Sequence, residues 1–309
     1  MTEGTGGIAA VVLLGRPNVG KSTLFNSLAG SRMSIVTPKP ATTRLVVAAP
    51  LPGAGPEIRI WDTPGVMDRP RHRLQLRLND VVWNAALEAD LLVWVVAGLE
   101  WSDEEDRLLE RARELGKPLG VAVNQIDRIK PRTALLPFLE RLADRSSFSF
   151  LVPVSARRGE NLATLADQIR SFCPAPERIR PAFAARGVGL AWPDQAAELF
   201  REQLMMDLTA ELPYALHVVC ESWLETERRV EVDLRVWVER PGQKGIVIGT
   251  GGQRLKVAGS RVRHTLEARV GRPVLLHSRV EVDPDWTLHH PQDPRPTPPV
   301  VPSAPESDR

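Results

Sequence analysis

A short apolar run, Ala9–Leu14, leads directly into Gly15-Arg16-Pro17-Asn18-Val19-Gly20-Lys21-Ser22-Thr23, and helical spacing opens at Lys21. No other stretch constrains the chain as much. A strand that turns through glycines into a helix start leaves successive backbone N–H groups facing one small hollow. The helix N-terminus adds its partial positive charge to that hollow. The spacing Gly, four residues, Gly-Lys-Ser is that of a phosphate-binding loop, and its strand-to-helix setting makes the pattern credible. Lys21 is expected to reach the β- and γ-phosphates of a nucleotide, and Ser22 to offer its hydroxyl to Mg²⁺.

Around this loop the first half of the chain alternates strand and helix. Glu57–Trp61 reads as a strand ending at Asp62, and Leu91–Ala97 as a buried strand followed by a helix over Ser102–Leu115. Leu119–Val123 ends at Asn124, and Leu151–Val154 precedes a helix over Asn161–Phe172. Such alternation predicts an α/β domain with a mostly parallel, doubly wound sheet, which binds ligands beyond the carboxyl ends of its strands. Pro174-Ala175-Pro176 marks the end of that domain, and Pro181 and Pro193 extend a linker over 174–193. Past it the rhythm changes. A helix is expected over Ala196–Leu212, and strands over Leu216–Trp223 and Arg229–Glu239. Gln243–Ile248 leads into a glycine-rich turn, then comes helical spacing over Gln253–Val270 and a strand over Val274–Val282. The expected division is a flexible start over 1–7, a nucleotide domain over 8–173, the linker, a second domain over 194–288 and a disordered Pro-rich tail over 289–309.

Two more motifs bear on which nucleotide is bound. Asp62-Thr63-Pro64-Gly65 closes one strand. A carboxylate there can hold a Mg²⁺-bound water, and the Gly65 N–H can contact a γ-phosphate. Asn124-Gln125-Ile126-Asp127 closes another strand. Asp127 can accept from both N1–H and the exocyclic amine of guanine, a donor pair that adenine lacks. Asn124 would brace the neighbouring loops, and Ser155-Ala156 can give a backbone N–H to the guanine O6. In the polar stretch Thr37–Arg44 one threonine can complete the Mg²⁺ shell; Thr43 is favoured and Thr42 is the alternative.

The set GRPNVGKST, TTR, DTPG, NQID and SA resembles small GTPases of the Era type, within the translation-factor class. The resemblance continues through Glu211-Leu212-Pro213-Tyr214, Gly242-Gln243-Lys244 and Gly249-Thr250-Gly251-Gly252, which are similar to the KH domain that ends Era proteins, and it covers about residues 8–287. It implies a Ras-like P-loop GTPase domain followed by an α+β type II KH domain. In the second, a bare GxxG backbone lets an RNA sugar-phosphate chain approach, beside a groove for about four nucleotides. Lys244, Arg254, Lys256, Arg261 and Arg263 flank that loop and are expected to contact phosphates. The whole chain carries a net charge of only +2, so RNA binding must come from this local basic face. The resemblance further implies GTP and GDP as ligands and the 3′ end of 16S rRNA as partner. It implies a role in maturing the small (30S) ribosomal subunit, a monomer, and a cytoplasmic location with peripheral association at the inner membrane.

The chain departs from that family at Gln125, where a lysine normally lies along the base and braces the phosphate loop, and in its linker and tail. Val66 stands where Ras-type enzymes place a water-orienting glutamine. Asn18 resembles the potassium-binding asparagine of related GTPases with TTR switches, which implies K⁺ as a second cation. The alternatives are a weakly hydrolysing GTP-binding RNA scaffold, another ribosome- or tRNA-associated GTPase of the same class, and a P-loop kinase or ATPase; Asn124 with Asp127 argues against the last. Two cysteines, Cys173 and Cys220, are too few for a disulfide framework and fit a reducing compartment. The N-terminus lacks the basic start and apolar core of a secretion signal, and the longest apolar runs are strand-sized. His289-His290 reads as solvent-exposed, Trp223 and Trp237 as core, and the acidic run Asp103–Asp106 as a solvated first helical turn.

Asp127→Asn is expected to weaken GTP binding by about 1.5–3 kcal/mol, the scale of a hydrogen bond to a charged group. It should strengthen binding of xanthosine triphosphate, whose base presents a carbonyl where guanine has an amine. Competition titrations read both; unchanged GTP affinity would remove Asp127 from base reading.

Overall fold

A computed structural model describes residues 8–286 except 40–41, 55–56, 71–72, 146, 174–188, 209–211 and 213–214. The expected flexible start over 1–7, most of the linker, Glu211, Pro213, Tyr214, His289-His290 and the Pro-rich tail lie outside the described residues.

A six-stranded sheet runs in the order β2-β3-β1-β4-β5-β6. Its strands are β1 (Ile8–Leu14), β2 (Val47–Pro50), β3 (Glu57–Asp62), β4 (Leu91–Ala97), β5 (Leu119–Asn124) and β6 (Leu151–Pro153). All pairings are parallel except that of β2 with β3. The central strands are buried on both faces, which is why they read as unbroken apolar runs rather than alternating ones. Helices α1 (Lys21–Ala29) and α5 (Leu162–Phe172) cover one face. Helices α2 (Arg73–Glu88), α3 (Asp103–Arg113) and α4 (Leu135–Arg145) cover the other. The chain order reverses around β1, so a crevice forms past the carboxyl ends of β1, β3 and β4.

The second body has its own core. It contains α6 (Trp192–Asp207), β7 (Leu216–Glu225), β8 (Val230–Val238), α7 (Pro241–Ile248), α8 (Gln253–Val270) and β9 (Val274–Val282). β7 and β8 are antiparallel, β8 and β9 parallel. That order, α-β-β-α-α-β over a mixed three-stranded sheet, is the type II KH arrangement. β8 buries every second residue, so Val230, Val232, Leu234, Val236 and Val238 all face the helices.

Several expectations need adjusting. β2, α2 and α4 have no counterpart in the sequence reading: β2 is only four residues long, and neither helix has an acidic first turn to mark its start. The helix expected over Ala196–Leu212 spans Trp192–Asp207, so it begins inside the expected linker. Pro193 sits in the first helical turn, where its fixed φ helps and its missing N–H costs nothing. Likewise α7 begins at Pro241, earlier than Gln243. Trp237 lies on the outward face of β8 under Arg235, and Trp223 is half-buried and stacked on Trp192, 5.9 Å between ring centres. Neither tryptophan belongs to the fully buried core.

Candidate nucleotide and RNA sites

The phosphate loop is shaped by positive φ at three residues. Gly15 has φ +139° and no room for a side chain, since a Cβ would meet the Val95 carbonyl oxygen at 2.3 Å. Asn18 has φ 66°, and Gly20 has φ +93° with the Asn124 amide 2.4 Å from where its Cβ would stand. Lys21 Nζ donates to the Gly15 and Arg16 carbonyls, 2.9 Å each, closing the loop on itself. Burial pushes this ammonium down to about 8, against the pull of Asp62 and Glu105. Val19 is buried, and the Thr23 side of α1 is half-exposed.

Three oxygen donors converge beside Lys21. Ser22 Oγ and Thr43 Oγ1 lie 2.7 Å apart. Asp62 is fully buried, accepts from Ser34 Oγ at 2.6 Å through Oδ2, and accepts no hydrogen bond at Oδ1. Its carboxyl is raised by burial, and Ser22, Ser34, Lys21 and Thr43 oppose that rise. A buried carboxylate oxygen without a donor, beside two hydroxyls, fits a small hard cation such as Mg²⁺. Thr42 faces elsewhere: its hydroxyl donates to the Lys39 carbonyl at 2.6 Å. Thr63 Oγ1 ties the end of β3 to the Leu13 carbonyl of β1 at 2.7 Å. Gly65 comes so close to the loop that a Cβ would sit 2.6 Å from Pro17 N, so Pro64-Gly65 touches the phosphate loop directly. Val66 is buried, its N–H donating to the Gly15 carbonyl at 3.1 Å.

At the far end Asn124 joins three segments. Its Nδ2 donates to the Val19 carbonyl at 3.0 Å, and its Oδ1 accepts the Ala156 N–H at 3.0 Å. Ser155 Oγ donates to Asp127 Oδ1 at 2.7 Å, and that bond, more than Arg158 or Arg128, holds the Asp127 carboxyl below its usual range. Of the two backbone N–H groups of Ser155-Ala156, one of which was expected to reach a base carbonyl, that of Ala156 donates to Asn124 Oδ1 and that of Ser155 to the Glu160 carbonyl at 3.1 Å. Gln125 donates to the Asn18 carbonyl at 3.2 Å and accepts from Arg128 at 2.8 Å.

The GxxG segment joins α7 to α8. Gly249, Gly251 and Gly252 have φ of 76°, 57° and 75°, and Thr250 and Gly251 are exposed. Gly249 has to be small, because a Cβ would stand 2.9 Å from that of Arg254. Of the basic residues expected to flank the loop, Lys256 is exposed and Lys244 half-buried. Arg254 donates to the Ile246 carbonyl near the end of α7, and Arg261 reaches Gln203 on α6 at 3.3 Å. Sequence reading missed Ile246, an exposed apolar side chain (50%) beside the loop. The only signal for it was an apolar residue at a solvent-facing helical position.

Sequence reading also missed the joint between the two bodies. Arg201 of α6, fully buried, is paired with Glu198 and donates to the Thr42 carbonyl. Arg44 donates to the Leu216 carbonyl at 2.8 Å and lies over Trp286, which stacks on His217. Burial, helped by Arg201, pushes Arg44 down to about 9. Lys39 reaches the Met205 and Leu208 carbonyls, and Arg32 pairs with Glu202 at 2.5 Å.

Glu105 of α3 is a further unexpected group. It is buried and accepts from Trp94 Nε1 at 2.8 Å. Burial pushes its carboxyl up to about 7, while Trp94, Arg16 and Lys21 oppose the rise and Glu104, itself paired with Arg16 at 2.9 Å, adds to it. Between about 4.5 and 7 the folded chain therefore holds a proton that the unfolded chain releases. Stability falls as pH rises through that window and stays lower above it. Glu105→Gln keeps an acceptor for Trp94 and cannot ionise. Urea titrations should show it gaining about 2–3 kcal/mol on the parent between pH 4.5 and 8. Parallel pH profiles for the two proteins would contradict this.

Residues 10–125 match the family described as 50S ribosome-binding GTPase, and residues 211–287 match the KH domain family. The GTPase Era of Marinobacter nauticus is 35% identical over 277 residues, covering 89% of this chain and 90% of that one. The GTPase Era of Stenotrophomonas maltophilia strain K279a is 38% identical over 289 residues, covering 90% and 93%. The structure of an Aquifex aeolicus Era variant bound to GDP and aluminium fluoride superposes with a TM-score of 0.84 at 32% identity, over 91% of this chain and 95% of that one. A structure of Era in complex with MgGDPNP and nucleotides 1506–1542 of 16S ribosomal RNA gives 0.82 at 32% identity, over the same shares.

Proposed function

The chain belongs to the Era family of GTPases, and from that premise we propose that it is a GTP-controlled switch that grips the 3′ end of 16S rRNA through its KH domain during maturation of the small ribosomal subunit. It is an enzyme that hydrolyses GTP to GDP and phosphate. The observation that carries the switch reading is the sequence Thr42-Thr43-Arg44. Thr43 stands against Ser22 in the nucleotide site, while its two neighbours hold buried arginine contacts with the KH body. A change at the γ-phosphate end that moves Thr43 has to strain or release those contacts. The RNA assignment is supported by the exposed GxxG backbone and by the Era complex that contains 16S rRNA nucleotides.

In this reading the loop over Gly15–Thr23 binds the phosphates by backbone N–H groups and Lys21, whose carbonyl contacts give way to phosphate oxygens. Ser22, Thr43 and Asp62 hold Mg²⁺, which supplies charge neutralisation at the β- and γ-phosphates. Asp127, kept ionised by Ser155, reads guanine. The proposed linker over 174–193 runs into α6, which opens at Trp192, and the chain works in the cytoplasm with peripheral association at the inner membrane. Among the described residues no helix is long and apolar enough to cross a membrane. Crosslinking in cells followed by sequencing of the bound RNA tests the assignment directly. Recovery of RNA without enrichment at the 16S 3′ end would overturn it.

Replacing Thr250 and Gly251 together by Asp should abolish RNA binding and leave GTP hydrolysis intact, since side chains and negative charge then occupy the path of the phosphate chain. A folded double variant with parental RNA affinity in gel-shift titration would make the loop structural only.

Val66 offers no group to orient a water, so positive charge at the phosphates has to come from elsewhere. We infer K⁺ held near Asn18, at the turn of the loop. Turnover with RNA bound should be faster in K⁺ than in Na⁺ at equal ionic strength, and Asn18→Ala should erase the difference. Equal rates in the two salts for the parent protein would dismiss K⁺.

A further inference from the structure

We propose that Arg128 is a positioning residue for the bound nucleotide, acting through Gln125 on the phosphate loop. The inference rests on the functional reading above.

The geometry is a relay of three residues. Gln125 has a left-handed backbone (φ 64°) and opens a single helical turn, Ile126–Arg128. The Arg128 N–H donates to the Gln125 carbonyl at 2.9 Å, so the turn sets the Arg128 side chain back over Gln125. There Arg128 Nη1 donates to Gln125 Oε1 at 2.8 Å, and Gln125 Nε2 donates to the Asn18 carbonyl at 3.2 Å.

The chemistry of the groups gives this relay a direction. A guanidinium only donates and a backbone carbonyl only accepts. A primary amide between them must turn its oxygen to Arg128 and its NH₂ to Asn18. Without Arg128 the amide is free to flip or to leave for solvent, because Gln125 is only half-buried. Asn18 carries positive φ at the tip of the phosphate loop, a backbone state unusual for a residue with a side chain. The adjacent Asn124 already ties the next carbonyl, that of Val19, at 3.0 Å. Asn124 and Gln125 thus hold consecutive carbonyls of the loop, but only Asn124 is buried enough to hold its amide without help. Arg128 also stands close enough to Asp127 to favour its ionised form, after Ser155 and Arg158.

A lysine at 125 would reach the Asn18 carbonyl with its own ammonium and would offer Arg128 no acceptor. That contrast supplies the test. Dissociation constants for GDP are measured by calorimetry on the full chain for the parent, Arg128→Ala, Gln125→Lys and the two combined. Arg128→Ala should weaken GDP about five-fold in the parent, the scale of one exposed charge-assisted hydrogen bond. It should cost less than about two-fold once Gln125→Lys is present, because two residues in one network couple non-additively. Arg128→Lys, which keeps a donor, should retain most of the affinity. In steady state Arg128→Ala should raise KM for GTP and leave kcat unchanged at saturation. No loss on Arg128→Ala, or the same loss in both backgrounds, overturns the proposal while the GTPase reading stands. A parent protein that binds no GDP overturns both.

Discussion

A buried arginine pair holds the two halves of this molecule to each other. Arg201 is enclosed, and it survives there because Glu198 neutralises it and the Thr42 carbonyl takes a remaining donor. Removing either member of the Arg201–Glu198 pair would leave an uncompensated charge in a low-dielectric setting, which is strongly destabilising. Arg44, two residues along, spends its donor on the Leu216 carbonyl and its flat face on Trp286. The segment between Lys39 and Arg44 is therefore held from the KH side at three places, while Thr43 looks the other way. Such a joint has few intermediate positions, since half-made contacts of buried charges cost most.

The nucleotide site obeys a related rule. Its loop is irregular, so its carbonyls lack regular ladder partners, and side chains supply them. Lys21 takes Gly15 and Arg16, Asn124 takes Val19, and Gln125 takes Asn18. Each clamp comes from a different depth, from enclosed Asn124 to half-exposed Gln125. The loop is then firm where the sheet supports it and adjustable at its tip. Asp62 is the opposite case, with one buried carboxylate oxygen left over in a site otherwise satisfied. A group in that state stores affinity for a cation.

Much of this was legible beforehand because the motifs are local. A strand, a glycine turn and a helix start are neighbours along the chain, so GRPNVGKST announces its own geometry. The apolar strands were visible since both faces are covered, and β8 was visible through its alternation. Helix α2 escaped notice because no acidic residue in its first turn marks a start, and only six of its sixteen residues are buried. Arg254 was legible only in part. Its type and place near the GxxG loop were readable, but its turn toward the Ile246 carbonyl depends on how α7 and α8 meet.

The amino-acid order alone determined the P-loop, the Asn124–Asp127 motif that closes β5, the GxxG turn and the succession of two domains. All of these are set by contacts within about ten residues or by the period of apolar positions. Only the tertiary structure decided that Thr43 rather than Thr42 faces Ser22, that Glu105 is enclosed beside Trp94, and that Arg44 and Arg201 close on each other's domains. Those choices join residues up to 172 positions apart. A charged residue bound for the surface and one bound for a buried joint have the same local pattern. What separates them is the partner that the fold brings to it.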